Sequence, residues 1–122
     1  MSKIQENFEK NGYVIVPGNK ELINKIRKII FDNIKDNKKI KNKNNNEENI
    51  TKIFNNFHHY VNLKELNSLR FNIYKKINVG SVFSEIYYKI AKNYLDELVG
   101  NELSMQKKIN LSIQMPNDKD SL

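Results

Sequence analysis

The final stretch of the chain, residues 105–122, alternates between polar and apolar side chains. The polar set is Gln106, Lys108, Asn110, Ser112 and Gln114, and the apolar set is Ile109, Leu111, Ile113 and Met115. Because successive side chains of a strand point to opposite faces, this pattern predicts a strand with one polar and one apolar face. Only Tyr13–Val16 indicates a second strand, and two strands alone do not make a stable sheet. The pattern therefore predicts a sheet that this chain leaves incomplete.

The rest of the chain is dominated by helical signals. Ser2 and Gln5 have the spacing of a capping box, and Asn11-Gly12 is a typical helix end. Further helices are predicted from Asn19 to Ile34, within Ile50–Tyr60, from Asn62 to Asn78 and from Ser81 to Gly100. Helices with two strands predict a helix-rich α+β fold, with a helical bundle against one face of a sheet.

Length and composition indicate a single domain over residues 1–122. Residues 35–49 are rich in Lys, Asn and Glu and too polar to bury anything, which predicts a low-complexity mobile loop within that domain. The absence of cysteine excludes disulfides and thiolate metal sites. No apolar run reaches the roughly 20 residues of a membrane span, and no signal peptide is visible, so we expect a soluble cytoplasmic protein.

The chain is basic, with 21 Lys and Arg against 14 Asp and Glu and a formal charge of +7. A positive charge of this size ordinarily suggests that the partner is a nucleic acid. Only two of these residues are arginine, the side chain that favours direct base readout, and the wealth of Lys, Asn and Ile is typical of AT-rich codons. The excess charge is therefore better explained by codon drift, which argues against nucleic acid as the partner.

Few residues suggest chemistry. His58 and His59 are adjacent, and neighbours on a helix point about 100° apart, so a helix end with one packed and one solvated histidine is favoured over a metal site. No phosphate-binding loop, serine nucleophile elbow or zinc-binding helix motif is present. Phe83, Tyr87 and Tyr94 share the apolar stripe of a helix, which favours core packing over base stacking.

Both ends of the chain resemble a known family. Phe8 followed by Asn11–Val16 is similar to the opening "F-x-x-x-G-Y-x-x-x" of phytanoyl-CoA dioxygenase-like proteins. Residues 94–122 resemble the helix and strand that lead into the iron site of these enzymes. The similarity is greatest to the small iron(II)/2-oxoglutarate oxygenases of sporadically distributed surface-carbohydrate gene clusters. Together the two stretches make the resemblance span essentially the whole chain.

The resemblance implies the N-terminal helices and first strands of a jelly-roll (double-stranded β-helix) oxygenase. In that family a His-x-Asp pair and a distal His hold iron(II), and 2-oxoglutarate is the co-substrate. It also implies that Gln106, Lys108 and Asn110 face the co-substrate or substrate pocket, where they would form hydrogen bonds. The residues by themselves are equally consistent with a strand face exposed to solvent. The chain contains neither the His-x-Asp pair nor a late arginine. We therefore expect the N-terminal part of such an enzyme, holding no iron(II) or 2-oxoglutarate and inactive alone.

The implied partner is a small-molecule substrate such as a sugar or sugar derivative, without a membrane, and the final strand would allow self-association. The chain could instead be a stand-alone basic helical interaction module that binds an acidic partner or RNA. A degenerate gene remnant without selected function is a third interpretation. Affinity that falls steeply with salt would distinguish the interaction module from the other two.

Overall fold

The computed structural model describes residues 1–100 and 108–119, and its regular structure is helical. The helices are α1 (Lys3–Asn11), α2 (Lys20–Ile34), α3 (Glu47–Asn55), α4 (Leu63–Ile77) and α5 (Val82–Val99), with a 3-10 turn at Phe57–His59 between α3 and α4. Within the described ranges no strand is formed.

The expected α+β fold, with the first strands of a jelly roll, is therefore wrong. Residues 13–16 form no strand, and Ile15 there is 87% exposed. Residues 109–115 have the alternating exposure of an extended chain but pair with no other strand among the described residues. A strand is stabilised by a neighbouring backbone. Here helices cover the apolar side chains of the final segment instead, and helix side chains bind parts of its backbone.

Local signals place several helix ends where they were predicted. The Ser2 hydroxyl accepts a hydrogen bond from the Gln5 backbone N–H at 3.3 Å, while the Gln5 side chain accepts one from the Ser2 N–H at 2.8 Å. The Asn19 side chain caps α2 by accepting from the Leu22 N–H at 3.1 Å. Gly12 ends α1 with φ of 77°, a conformation that glycine adopts without steric cost.

Helix α2 is the centre of the packing, because it contacts α3, α4 and α5, while α1 contacts α5. The core is apolar among the described residues, and no polar or charged residue there is buried as a whole. Its buried members are Phe31, Ile34, Ile40, Ile50, Ile53, Phe57, Val61, Leu66, Ile73, Ile77 and Phe83.

The polar segment 35–49 contributes to this core. Ile40 is 0% exposed, so the expectation that the segment buries nothing is wrong at this position. The segment consists mainly of turns, and α3 begins within it at Glu47. Its single isoleucine anchors a loop whose lysines and asparagines stay largely in solvent.

Candidate functional site

The extended segment 108–115 lies against the helical core with its apolar face inward. Ile109, Leu111, Ile113 and Met115 are half-buried and pack on the core cluster. The polar residues between them are exposed: Lys108, Asn110, Ser112 and Gln114. The alternation predicted from the sequence is thus confirmed, although helices rather than a sheet cover the apolar side.

Asn78, at the C-terminal end of α4, holds the start of this segment. Its amide nitrogen donates to the Ile109 carbonyl at 3.0 Å, and its amide oxygen accepts from the Ile109 N–H at 2.7 Å. Ile109 thereby has both backbone groups paired by one side chain. This pairing replaces the two hydrogen bonds that a neighbouring strand would have provided.

Arg70 of α4 holds the other end. Its Nε donates to the Ile113 carbonyl at 3.0 Å, its Nη2 donates to the same oxygen, and Nη2 also lies 2.5 Å from a carboxylate oxygen of Asp118. The exposed fractions are 18% for the Arg70 side chain and 6% for that of Asp118. Because a shielded ion pair is screened little by solvent, this contact is expected to fix the segment more firmly than a surface pair would.

A pocket of about 400 Å³ lies beneath the segment and is partly open to solvent. Helix α2 lines it with Arg27, Ile30 and Ile34, and residues 111–114 of the segment form another side. The remaining lining residues are Phe54, Phe57 and Ile73. Its volume is within the range of small-molecule sites, roughly 300–1,000 Å³.

Arg27 is the charged residue in the pocket lining. Its Nη2 donates to the Thr51 hydroxyl at 2.7 Å, and its guanidinium carbon lies 5.7 Å from the centre of the Phe54 ring. These two contacts to α3 hold the guanidinium in place. The pocket therefore combines an apolar interior with a fixed positive charge.

The structure locates two of the three predicted site residues. Lys108 and Asn110 are exposed on the polar side of the segment, where their equal parity places them on one face, and neither lines the pocket. Gln106 lies outside the described residues. The pocket beneath the segment is a second site, and it was not predicted from the sequence.

No group of three or more His, Cys, Asp and Glu within the described ranges is placed to hold a metal ion. His58 and His59 are both exposed, with ring centres 4.2 Å apart, so the expectation that one of them is packed is wrong. Tyr87 is also exposed at 49%, against expectation, whereas Phe83 is in the core as predicted.

The roles of the two arginines were not predicted from the sequence, although the composition contained a signal for them. In a chain where nearly every basic residue is lysine, Arg27 and Arg70 are exceptions. Arg70 makes several hydrogen bonds at once, which a planar, multidentate group allows, and Arg27 donates to Thr51 and lies near the Phe54 ring. Their rarity was informative, but only the fold shows which groups they meet.

No helix in the described part of the chain has both the length and the apolarity that a membrane span requires. Comparison with family models, curated proteins and solved structures found no match to the chain.

Proposed function

We propose that the chain is the N-terminal part of a cytoplasmic iron(II)/2-oxoglutarate-dependent oxygenase that acts in surface-carbohydrate biosynthesis. The observation that supports this function best is the exposed polar side of segment 108–115, which carries Lys108 and Asn110 on a backbone held by Asn78 and Arg70. The family resemblance implies that these polar residues face a pocket for co-substrate or substrate.

The role of the polar face is recognition. The Lys108 ammonium is a donor suited to a carboxylate or a sugar hydroxyl, and the Asn110 amide can both donate and accept. Substrate held by such groups is oriented for a reaction that occurs elsewhere. The described residues do not fit iron, since they lack a donor set, so this part of the protein is assigned no step at the metal.

The test is to express this chain together with whatever coding sequence follows Leu122, and to measure 2-oxoglutarate decarboxylation as succinate formed. We expect succinate formation that requires iron(II), and a downstream sequence with His-x-Asp and later His and Arg. The proposal would be overturned if the expressed protein consumes no 2-oxoglutarate. It would also be overturned if the downstream reading frame lacks the His-x-Asp pair and the later His and Arg.

Substitutions then test the polar face. Asn110→Ala should lower kcat/KM by about tenfold, the effect of losing a hydrogen bond in a polar site. Lys119→Met is the matched control for Lys108→Met, because Lys119 is exposed but lies outside segment 108–115. Equal effects of the two lysine substitutions would exclude the assigned role for Lys108.

A second candidate function is a basic module that binds an acidic partner or RNA. It is favoured by Lys38, Lys41 and Lys43, which are exposed in one loop and form no ion pair with the described residues. Clustered unpaired lysines attract polyanions, and such binding weakens as salt rises.

Single-stranded RNA and an acidic peptide, each titrated over a salt series, test this second function. Replacing Lys38, Lys41 and Lys43 with Gln should change how steeply RNA binding depends on salt. The slope of the logarithm of the binding constant against the logarithm of salt concentration should fall by about one for each lysine that contacts a phosphate. A variant with Lys3, Lys10 and Lys89 replaced by Gln has the same net charge and serves as the control, since these lysines are exposed on helices elsewhere. Absence of binding at moderate salt would refute the module.

A further inference from the structure

We infer that the pocket beneath segment 108–115 binds a small amphipathic carboxylate, with its apolar body between the helices and its carboxylate on Arg27. This site differs from the one in the proposed function, because most of its lining comes from the helical part of the chain and it contains neither Lys108 nor Asn110. Ser112 and Gln114, from the exposed side of the segment, contribute to its rim. The inference therefore does not depend on the oxygenase assignment.

The apolar interior determines the body of the ligand. Ile30, Ile34, Ile73 and Leu111 line the pocket with branched aliphatic side chains, and Ile73 is fully buried. A space of about 400 Å³ is many times the volume of one water molecule, roughly 30 Å³. Apolar walls give water few hydrogen-bond partners, so an alkyl or aromatic group is the better occupant.

Arg27 determines the charge of the ligand. The guanidinium has five N–H groups, and one of them donates to Thr51 at 2.7 Å. No carboxylate among the described residues forms an ion pair with it. Its remaining N–H groups can therefore bind both oxygens of a ligand carboxylate, the bidentate arrangement that arginine favours.

The positions of the two contacts to α3 support this role. The Thr51 hydroxyl and the Phe54 ring fix the guanidinium before any ligand arrives, so little side-chain entropy is lost on binding. Phe54 also lines the pocket, and thus contacts the same space that the ligand body would fill. A preorganised cation beside an apolar space fits a monocarboxylate better than a hydrophilic dicarboxylate.

Octanoate titrated into the full chain tests the inference, with the methyl NMR signals of Ile34, Ile73 and Leu111 as reporters and calorimetry for affinity. We expect saturable shifts of these signals with octanoate, at least about tenfold weaker binding of octan-1-ol, and no such shifts with 2-oxoglutarate. Absence of saturable shifts, or equal affinity for octanoate and octan-1-ol, would overturn the site.

Variants separate charge from folding. Arg27→Gln should weaken octanoate binding by about tenfold, while Lys28→Gln, one position along α2 and exposed, should leave it unchanged. Leu111→Phe fills the pocket from the segment side and should abolish binding while the far-ultraviolet circular dichroism is kept. Unchanged octanoate affinity in Arg27→Gln, or in a folded Leu111→Phe variant, would contradict the assignment. If Arg27→Gln does not fold, Leu111→Phe provides the test.

Discussion

At the scale of residues, arginine and lysine have separate tasks in this protein. The lysines of the described ion pairs lie in largely exposed surface contacts, whereas Arg70 joins a backbone carbonyl and a shielded carboxylate at once. Lysine has a single ammonium and cannot reproduce this fork of donors. The side chains that matter most for holding the final segment are therefore those that differ from the bulk composition.

Replacing Arg70 with Met should lower the free energy of unfolding by about 2–3 kcal/mol. The substitution keeps the apolar stem but removes the cation that neutralises Asp118 and the donors to Ile113. Urea denaturation measures the change. Lys52→Met, which breaks an exposed pair with Glu48, is the control and should cost under about 0.5 kcal/mol. Equal losses in the two variants would contradict the role of Arg70.

Lys92 gives a prediction for alkaline pH. The hydrogen bond and charge of Asp96 raise the pKa of Lys92 above its ordinary value of 10.5. A raised pKa in the folded state means that this contact stabilises the protein below the unfolded pKa and is lost as pH rises through the folded one. Asp96→Asn should return the Lys92 pKa towards 10.5, as followed by NMR titration of the lysine side chain. An unchanged titration would show that Asp96 is not the cause.

At the scale of elements, the end of one helix organises a segment distant in the chain. Asn78 follows the last residue of α4, and its amide donates to the Tyr74 carbonyl at 2.7 Å as well as pairing with Ile109. One side chain thus satisfies a helix-end carbonyl and the backbone of the extended segment. The docking of residues 108–115 depends on how α4 ends.

Asn78→Ala should cost about 1–2 kcal/mol and should speed hydrogen exchange at the Ile109 amide selectively. The reason is that Ile109 loses its acceptor and donor together. Asn72→Ala is the matched control, because Asn72 is exposed in the middle of the same helix, where alanine is at least as favourable. Unaltered exchange at Ile109 would rule out the role of Asn78.

At the scale of the whole molecule, stability is distributed unevenly. Helix α1 contains no buried residue, and the Gln5 side chain joins it to α5 by donating to the Glu97 carbonyl at 2.7 Å. Helices α2 and α4, in contrast, supply five of the fully or nearly fully buried core residues. An element with few buried contacts opens without disrupting the core.

Native-state hydrogen exchange should therefore show α1 opening at a lower free energy than α2. Ser2→Ala removes the capping hydroxyl and should lower the protection of α1 further, by about 1 kcal/mol, while α2 keeps its protection. Equal protection of α1 and α2 in the unsubstituted protein would show that the chain unfolds as one unit and would refute this prediction.

Self-association through the final segment stays a prediction, but its physical basis changes. The apolar side chains of the segment pack on the helical core and are not left uncovered. They are Ile109, Leu111, Ile113 and Met115. Association would then require backbone groups of the segment to pair with a strand of a second copy. Sedimentation velocity over a concentration series is the measurement, and a monomer at every concentration would contradict the prediction.

Sequence pattern alone determined the features that arise from neighbours in the chain. The capping box of Ser2 and Gln5, the cap at Asn19 and the alternation of residues 108–115 depend on contacts or faces a few residues apart, and all are observed. The same parity argument placed Lys108 and Asn110 together on one face. These inferences succeeded because backbone geometry sets them locally.

Tertiary structure alone decided what covers the alternating segment, and hence the fold class. Its apolar face could equally be covered by a sheet or by helices, because burial depends on area and not on the type of element that provides it. The contacts of Asn78 with Ile109 and of Arg70 with Ile113 join residues far apart in the chain, as does the pocket beneath them. Periodicity reports the faces of an element, whereas its partners are chosen by the packing of the whole chain.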